Sequence, residues 1–142
     1  MRRLVAAVSC ASLTWGCSSL GEYIERADAW QSQGVESYVW TLEASEPVFG
    51  PRRMTVHVVD GQPVRATLDG KRVPIMDGSA NDMPATVDAL FARLIRDAGR
   101  AMTVDVRWSV AGYPARIRFD YSDAIDDELT FKVVRFQALA SK

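Results

Sequence analysis

Met54-Thr55-Val56-His57-Val58-Val59-Asp60-Gly61, with the Val64, Ala66 and Leu68 that follow, decides the fold class of this chain. Met54, Val56 and Val58 alternate with Thr55 and His57, a period of two that puts apolar side chains on one face of an extended strand. Asp-Gly tolerates the two positive φ angles of a tight hairpin turn. The alternation resumes beyond it, so the stretch predicts two antiparallel strands sharing one apolar face.

The same period recurs on both sides. In Ser37–Ser45, Tyr38, Trp40, Leu42 and Ala44 alternate with Val39, Thr41 and Glu43. A second Asp-Gly at Asp69-Gly70 turns the chain toward a short run ending at Val73, and Met76–Pro84, rich in Gly, Ser, Asn, Asp and Pro, reads as a surface loop. Nearer the C-terminus, Val104, Val106, Trp108 and Val110 alternate with Asp105, Arg107 and Ser109, and Ala115, Ile117, Phe119 and Tyr121 alternate with Arg116, Arg118 and Asp120. The last run begins as Leu129, Phe131 and Val133 and continues out of phase as Val134, Phe136 and Ala138. A strand changes faces in this way only through an extra residue, which predicts a bulge near Val133-Val134.

Two stretches have helical spacing instead. Leu20–Gln33 places Tyr23, Ile24, Ala27 and Trp30 on one face, with Gly34 as a stop. Val87–Ala98 carries an apolar stripe of Val87, Leu90, Phe91, Leu94, Ile95 and Ala98, with Thr86 as N-cap, Gly99 as C-cap and Arg93 on the outer face. The expected architecture is α+β: an antiparallel sheet of about six strands with two helices on one face, in the order helix–three strands–helix–three strands. The other face, open to water, carries Thr41, Glu43, Thr55, His57, Arg65, Asp105, Arg107, Arg116, Arg118, Asp120 and Lys132.

Gly112-Tyr113-Pro114, Phe119-Asp120-Tyr121 and Asp126-Asp127-Glu128 form a signature that resembles an uncharacterised bacterial lipoprotein domain family. Thr86-Val87-Asp88-Ala89-Leu90-Phe91 and the Val58-Val59-Asp60-Gly61 hairpin match it further, so that the resemblance covers about Ser37 to Phe136. It implies a fold and a location but no activity. Physically, Gly112 and Pro114 suit a turn between strands, and Tyr113 is placed to fold its ring over the sheet end.

The N-terminus agrees on location. Arg2 and Arg3 precede an apolar run from Leu4 to Leu13, and Thr14-Trp15-Gly16-Cys17 places a small residue before a cysteine. This layout is that of a secretory signal, too short to span a bilayer permanently, and it resembles the lipobox of bacterial lipoproteins. Residues 1–16 are therefore expected to be removed and Cys17 lipidated, leaving 17–142 as a single periplasmic domain. Ser18 after the cysteine favours the outer membrane. Of the chain's 2 cysteines, Cys10 falls in the removed segment, so no disulfide is expected.

Formal net charge is −1, and loss of Arg2 and Arg3 makes it more negative. With charges well mixed, nucleic acid is not an expected partner. No reaction is legible either. His57 is the 1 histidine, and neither a Gly-x-Ser-x-Gly elbow nor a free thiol accompanies it. Trp30, Trp40 and Trp108 fall on apolar faces and read as core anchors. The carboxylates Asp120, Asp123, Asp126, Asp127 and Glu128 have the oxygen for a hard cation but lack the spacing of a calcium loop; they read as a solvated turn with Asp127 as a cap. No metal or cofactor is expected. Arg107, Arg116, Arg118 and Lys132 remain as the candidate interaction face. The expectation is a non-enzymatic, membrane-anchored module that binds a periplasmic protein, face-on or by strand addition; the alternative is a binder of a small ligand or envelope glycan through the same face.

Overall fold

The computed structural model describes residues 18–123 and 127–140; the expected signal peptide, Cys17 and Asp126 of the acidic turn lie outside the described residues. The elements are α1 (Ser18–Ser32), β1 (Tyr38–Glu46), β2 (Gly50–Val59), β3 (Gln62–Leu68), β4 (Lys71–Val73), β5 (Ser79–Ala80), β6 (Met83–Pro84), α2 (Val87–Ala98), β7 (Thr103–Trp108), β8 (Pro114–Asp120) and β9 (Glu128–Ala138).

Seven strands form one sheet in the order β4-β3-β2-β1-β9-β8-β7, and every neighbouring pair is antiparallel. Two meanders, β1–β4 and β7–β9, are thus joined along β1 and β9. The expected count of about six falls short because Asp69 and Gly70, at φ 48° and 82°, fold β4 back onto β3. The turn at Asp60-Gly61 forms as read, with φ 50° and 77°, but β3 bulges at Val64, which stands exposed instead of continuing the apolar face with Ala66 and Leu68. The expected bulge is present too: Thr41 pairs with Arg135 and Leu42 with Val133, leaving Val134 as the extra residue.

Both helices cover one face. Tyr23 and Trp30 of α1 and Val87, Leu90, Phe91 and Leu94 of α2 join Tyr38, Trp40, Leu42, Met54, Val56, Val58, Ile117, Phe119 and Phe131 in one core. At the sheet end the Tyr113 ring stacks on Phe136 at 4.7 Å between centroids and meets Trp30 edge-on at 5.8 Å. Gly112 allows that fold, at φ 100°, while its N–H and that of Tyr113 donate to the Ser109 hydroxyl at 3.1 Å. All three tryptophans described are partly or wholly buried, with Trp40 at 0% exposure.

Met76–Pro84 is a correction. It is not a surface loop: it folds as the β5–β6 hairpin, turning at Asn81 and Asp82 (φ 50° and 61°), and it buries Ala80 and Met83. Most of its polar residues lie in its turns, Asp77-Gly78 and Asn81-Asp82. Immediately after it the Ala85 carbonyl accepts a bond from the Trp40 indole N–H at 3.0 Å, and the Tyr38 hydroxyl accepts one from the Val87 N–H at 2.9 Å. Burial pushes the Tyr38 hydroxyl up to about 12, so it stays protonated while capping a helix-start amide. Thr86 caps as expected, its hydroxyl accepting from the Ala89 N–H at 3.0 Å.

Candidate interaction face

The strand pairings place three of the four sequence-selected cations in one row across the open face. Arg107 on β7 lies opposite Arg116 on β8, and Arg116 lies opposite Lys132 on β9. Neighbouring strands are about 4.8 Å apart, so three positive charges stand side by side. Like charges directly opposite one another oppose sheet formation. Glu43 on β1 faces Lys132 from the next strand, yet its carboxylate turns to Arg53 of β2, whose Nε donates at 2.7 Å. Among the described residues no ion pair involves Arg107, Arg116 or Lys132.

Arg118 differs from the other three. It sits in the adjacent row, and its guanidinium is held by Glu128 at 2.8 Å. Among the described residues the face is therefore a row of three cations without ion pairs, with Arg118 neutralised beside it.

Sheet irregularity gives that row a floor. Arg107 pairs with Arg116 and Trp108 with Pro114, leaving Ala115 as an extra residue of β8. A bulge increases local twist and bends its strand. A depression of about 610 Å³ opens there, lined by Glu43, Arg107, Ala115, Arg116, Thr130 and Lys132. Three cations in its lining against one carboxylate, Glu43, which is already paired to Arg53, suit a carboxylate or another anion, because guanidinium groups bind such oxygens in a two-pronged geometry.

His57 stands apart from the basic row, between Val39 and Arg65 on neighbouring strands. No carboxylate or hydroxyl of the described residues hydrogen-bonds to it, so no nucleophile–base pair is built around it. In the acidic turn, the Asp127 carboxylate accepts from the Ser122 hydroxyl at 2.6 Å, and Glu128 is committed to Arg118. Asp127 thus holds a side-chain hydroxyl, where a backbone amide was expected. Among the described residues no three Asp, Glu, His or Cys side chains converge as metal ligands. Millimolar calcium is expected to leave the melting temperature unchanged, and Asp127→Ala to cost about 0.5–1 kcal/mol, the scale of one exposed hydrogen bond. A calcium-dependent rise in melting temperature, abolished by that substitution, would make the turn a cation site.

One charged residue escaped sequence reasoning. Asp97, in the last turn of α2, is buried at 3% exposure. Its carboxylate accepts from Arg93, from Arg96 at 2.9 Å and from the Tyr121 hydroxyl at 3.1 Å. Burial alone would raise its pKa, but the hydrogen bonds from Arg96 and Arg93 outweigh it and hold the carboxyl below its ordinary value. Arg93 is consequently not a free outer-face residue: it is ion-paired to Asp97 and its guanidinium lies 5.5 Å from the Phe131 ring centroid. The i, i+4 spacing of Arg93 and Asp97 was the available signal. Nearby, the β1–β2 hairpin tip exposes Val48 (69%) and Phe49 (76%) beside a hollow of about 330 Å³ that Arg93 and Leu129 also line.

No described helix is long and apolar enough to cross a membrane. Residues 22–138 match the model of a family of unknown function, DUF6174, a span that takes in the core-facing residues of both helices and every described strand in full. No curated protein and no solved structure matches the chain.

Proposed function

The chain belongs to the DUF6174 family, whose function is unknown, and on that premise we propose that it is a non-enzymatic binding module of the bacterial cell envelope. In this reading Cys17 carries lipid and holds the domain on the periplasmic side of a membrane, the outer one given Ser18, and the open sheet face docks an acidic protein. The observation that carries the docking is the row Arg107–Arg116–Lys132, three neighbouring cations without an ion-pair partner among the described residues. An arrangement that opposes the sheet's own stability is accounted for by an anionic partner that neutralises it. A row of this kind, on a low-dielectric sheet, also steers acidic partners toward the face.

The depression at Ala115 supports a second reading, an anionic envelope glycan or small anionic ligand bound by the same cations. Both readings share the site and differ in what is retained. Crosslinking the lipidated protein in its native envelope and purifying it separates them. A protein partner is expected with the natural sequence and is expected to disappear with Arg116→Glu plus Lys132→Glu, while circular dichroism stays unchanged. Retention of glycan alone would favour the second reading, and an identical partner set in the variant would sink both. In the same preparations Cys17→Ser is expected to leave the precursor uncleaved or release the protein from membranes, because acyl chains contribute about 0.8 kcal/mol per buried CH₂ and supply the attachment. Unaltered processing and fractionation would overturn the anchor.

A further inference from the structure

The sheet has two edges, and only one is guarded. β4 ends it on one side with three residues, two of them Lys71 and Arg72, the short and basic edge that discourages pairing with another chain. β7 ends it on the other with Thr103-Val104-Asp105-Val106-Arg107-Trp108, six residues without proline or lysine.

The direction of the β7 backbone groups follows from its pairing with β8. Pro114, opposite Trp108, has no N–H to give, and the Ser109 N–H bonds to the Tyr113 carbonyl at 2.9 Å. Bonds to β8 therefore run from the odd-numbered residues of β7, and the N–H and C=O groups of Val104, Val106 and Trp108 point away from the sheet. Among the described residues no side chain or loop bonds to those of Val104 or Val106.

The two charges of this strand also lack an ion-pair partner among the described residues. Asp105 lies opposite Arg118, but Arg118 is taken by Glu128 at 2.8 Å. Arg107 lies opposite Arg116, a like charge. No ion pair among the described residues includes either Asp105 or Arg107.

We propose that β7 pairs antiparallel with β7 of a second copy of this chain, about a two-fold axis at Val106, joining two seven-stranded sheets into one. In that register Val106 faces its own copy and Val104 faces Trp108, all residues whose backbone groups point outward, so the ladder bonds are made. Asp105 then faces Arg107 of the second copy and Arg107 faces Asp105, at the pairs where side chains approach most closely. A shift of the axis by one residue, which also keeps the bonds, would set Asp105 against Asp105 or Arg107 against Arg107. Charge therefore selects one register, and the selected one is self-complementary as a two-fold interface requires. The apolar side chains Val104, Val106 and Trp108 continue the helix-covered face across the junction, and Arg116 and Lys132 remain unpaired on the open face. The pairing draws Arg107 out of the proposed docking row and leaves Arg116 and Lys132 to the partner, so reversal at Asp105, which lies outside that row, tests the dimer separately from the docking.

The test is sedimentation equilibrium of the full chain in mild detergent, with charge reversals confined to β7. The natural sequence is expected to form a dimer. Asp105→Arg and Arg107→Asp, each setting like charges opposite at both symmetric pairs, are expected to weaken it about tenfold or more. The double variant Asp105→Arg plus Arg107→Asp restores opposite charges at every pair and is expected to recover dimerisation. A monomer with the natural sequence at every concentration overturns the proposal. So do single reversals that leave the equilibrium unchanged, or a folded double variant that stays monomeric.

Discussion

Phe91→Ala is expected to lower the unfolding free energy by about 3–5 kcal/mol, measured by denaturant titration. Phe91 is 2% exposed and its ring stacks on Trp108 at 6.0 Å between centroids, so it joins α2 to the edge strand β7 through the middle of the core. Truncation removes the transfer free energy of the ring and leaves a cavity that a sheet and two helices cannot close without moving. Against a typical total of about 5–15 kcal/mol, the loss is a large part of the domain's stability. Ala92→Ser, one residue on and exposed, is expected to stay within about 0.5 kcal/mol. Equal losses at the two positions would mean that α2 does not bury this face.

Asp97→Ala is expected to cost about 3 kcal/mol, the scale of breaking a buried ion pair by removing one partner. The value falls at the low end of that range because Arg96 reaches solvent, whereas Arg93 and the Tyr121 hydroxyl lose their shared acceptor in a half-buried setting. The pH dependence has a definite sign. A carboxyl whose folded pKa lies below its unfolded one contributes stability that is present above the unfolded pKa and lost as pH falls through the folded pKa. The advantage of the natural sequence over Asp97→Asn should therefore be full near neutrality and shrink below about pH 4. An advantage that persists undiminished to about pH 2 would show that the carboxylate's charge is not what stabilises this corner.

Much of the local structure is legible in the chain because it depends on neighbours a few residues away. Alternation at Met54–Val58, two positive-φ pairs at Asp60-Gly61 and Asp69-Gly70, and the phase slip at Val133-Val134 each state a backbone geometry directly. The Thr86 cap and the apolar stripe of α2 do the same for the helix. The short hairpin at Ser79–Pro84 was missed because composition describes its turns, while the two side chains that matter, Ala80 and Met83, are buried by contacts remote in sequence. Asp97 and Arg93 were missed for a related reason: a charged residue near a helix end looks solvated until Tyr121, just beyond the end of β8, closes over it.

The candidate face divides in the same way. Sequence alone determined which side chains share the polar face, since a period of two settles that without knowing which strands are neighbours. It also determined the antiparallel class, through hairpin turns too short for any other connection. Only the tertiary structure decided that β1 and β9, the first and last strands in the sequence, pair at the centre of the sheet. Registers between strands then set Arg107, Arg116 and Lys132 side by side, gave Arg118 to Glu128, and left β7 as an open edge. Alternation is a property of one strand and is written locally, whereas strand order and register arise from burying all the apolar faces against the same two helices at once.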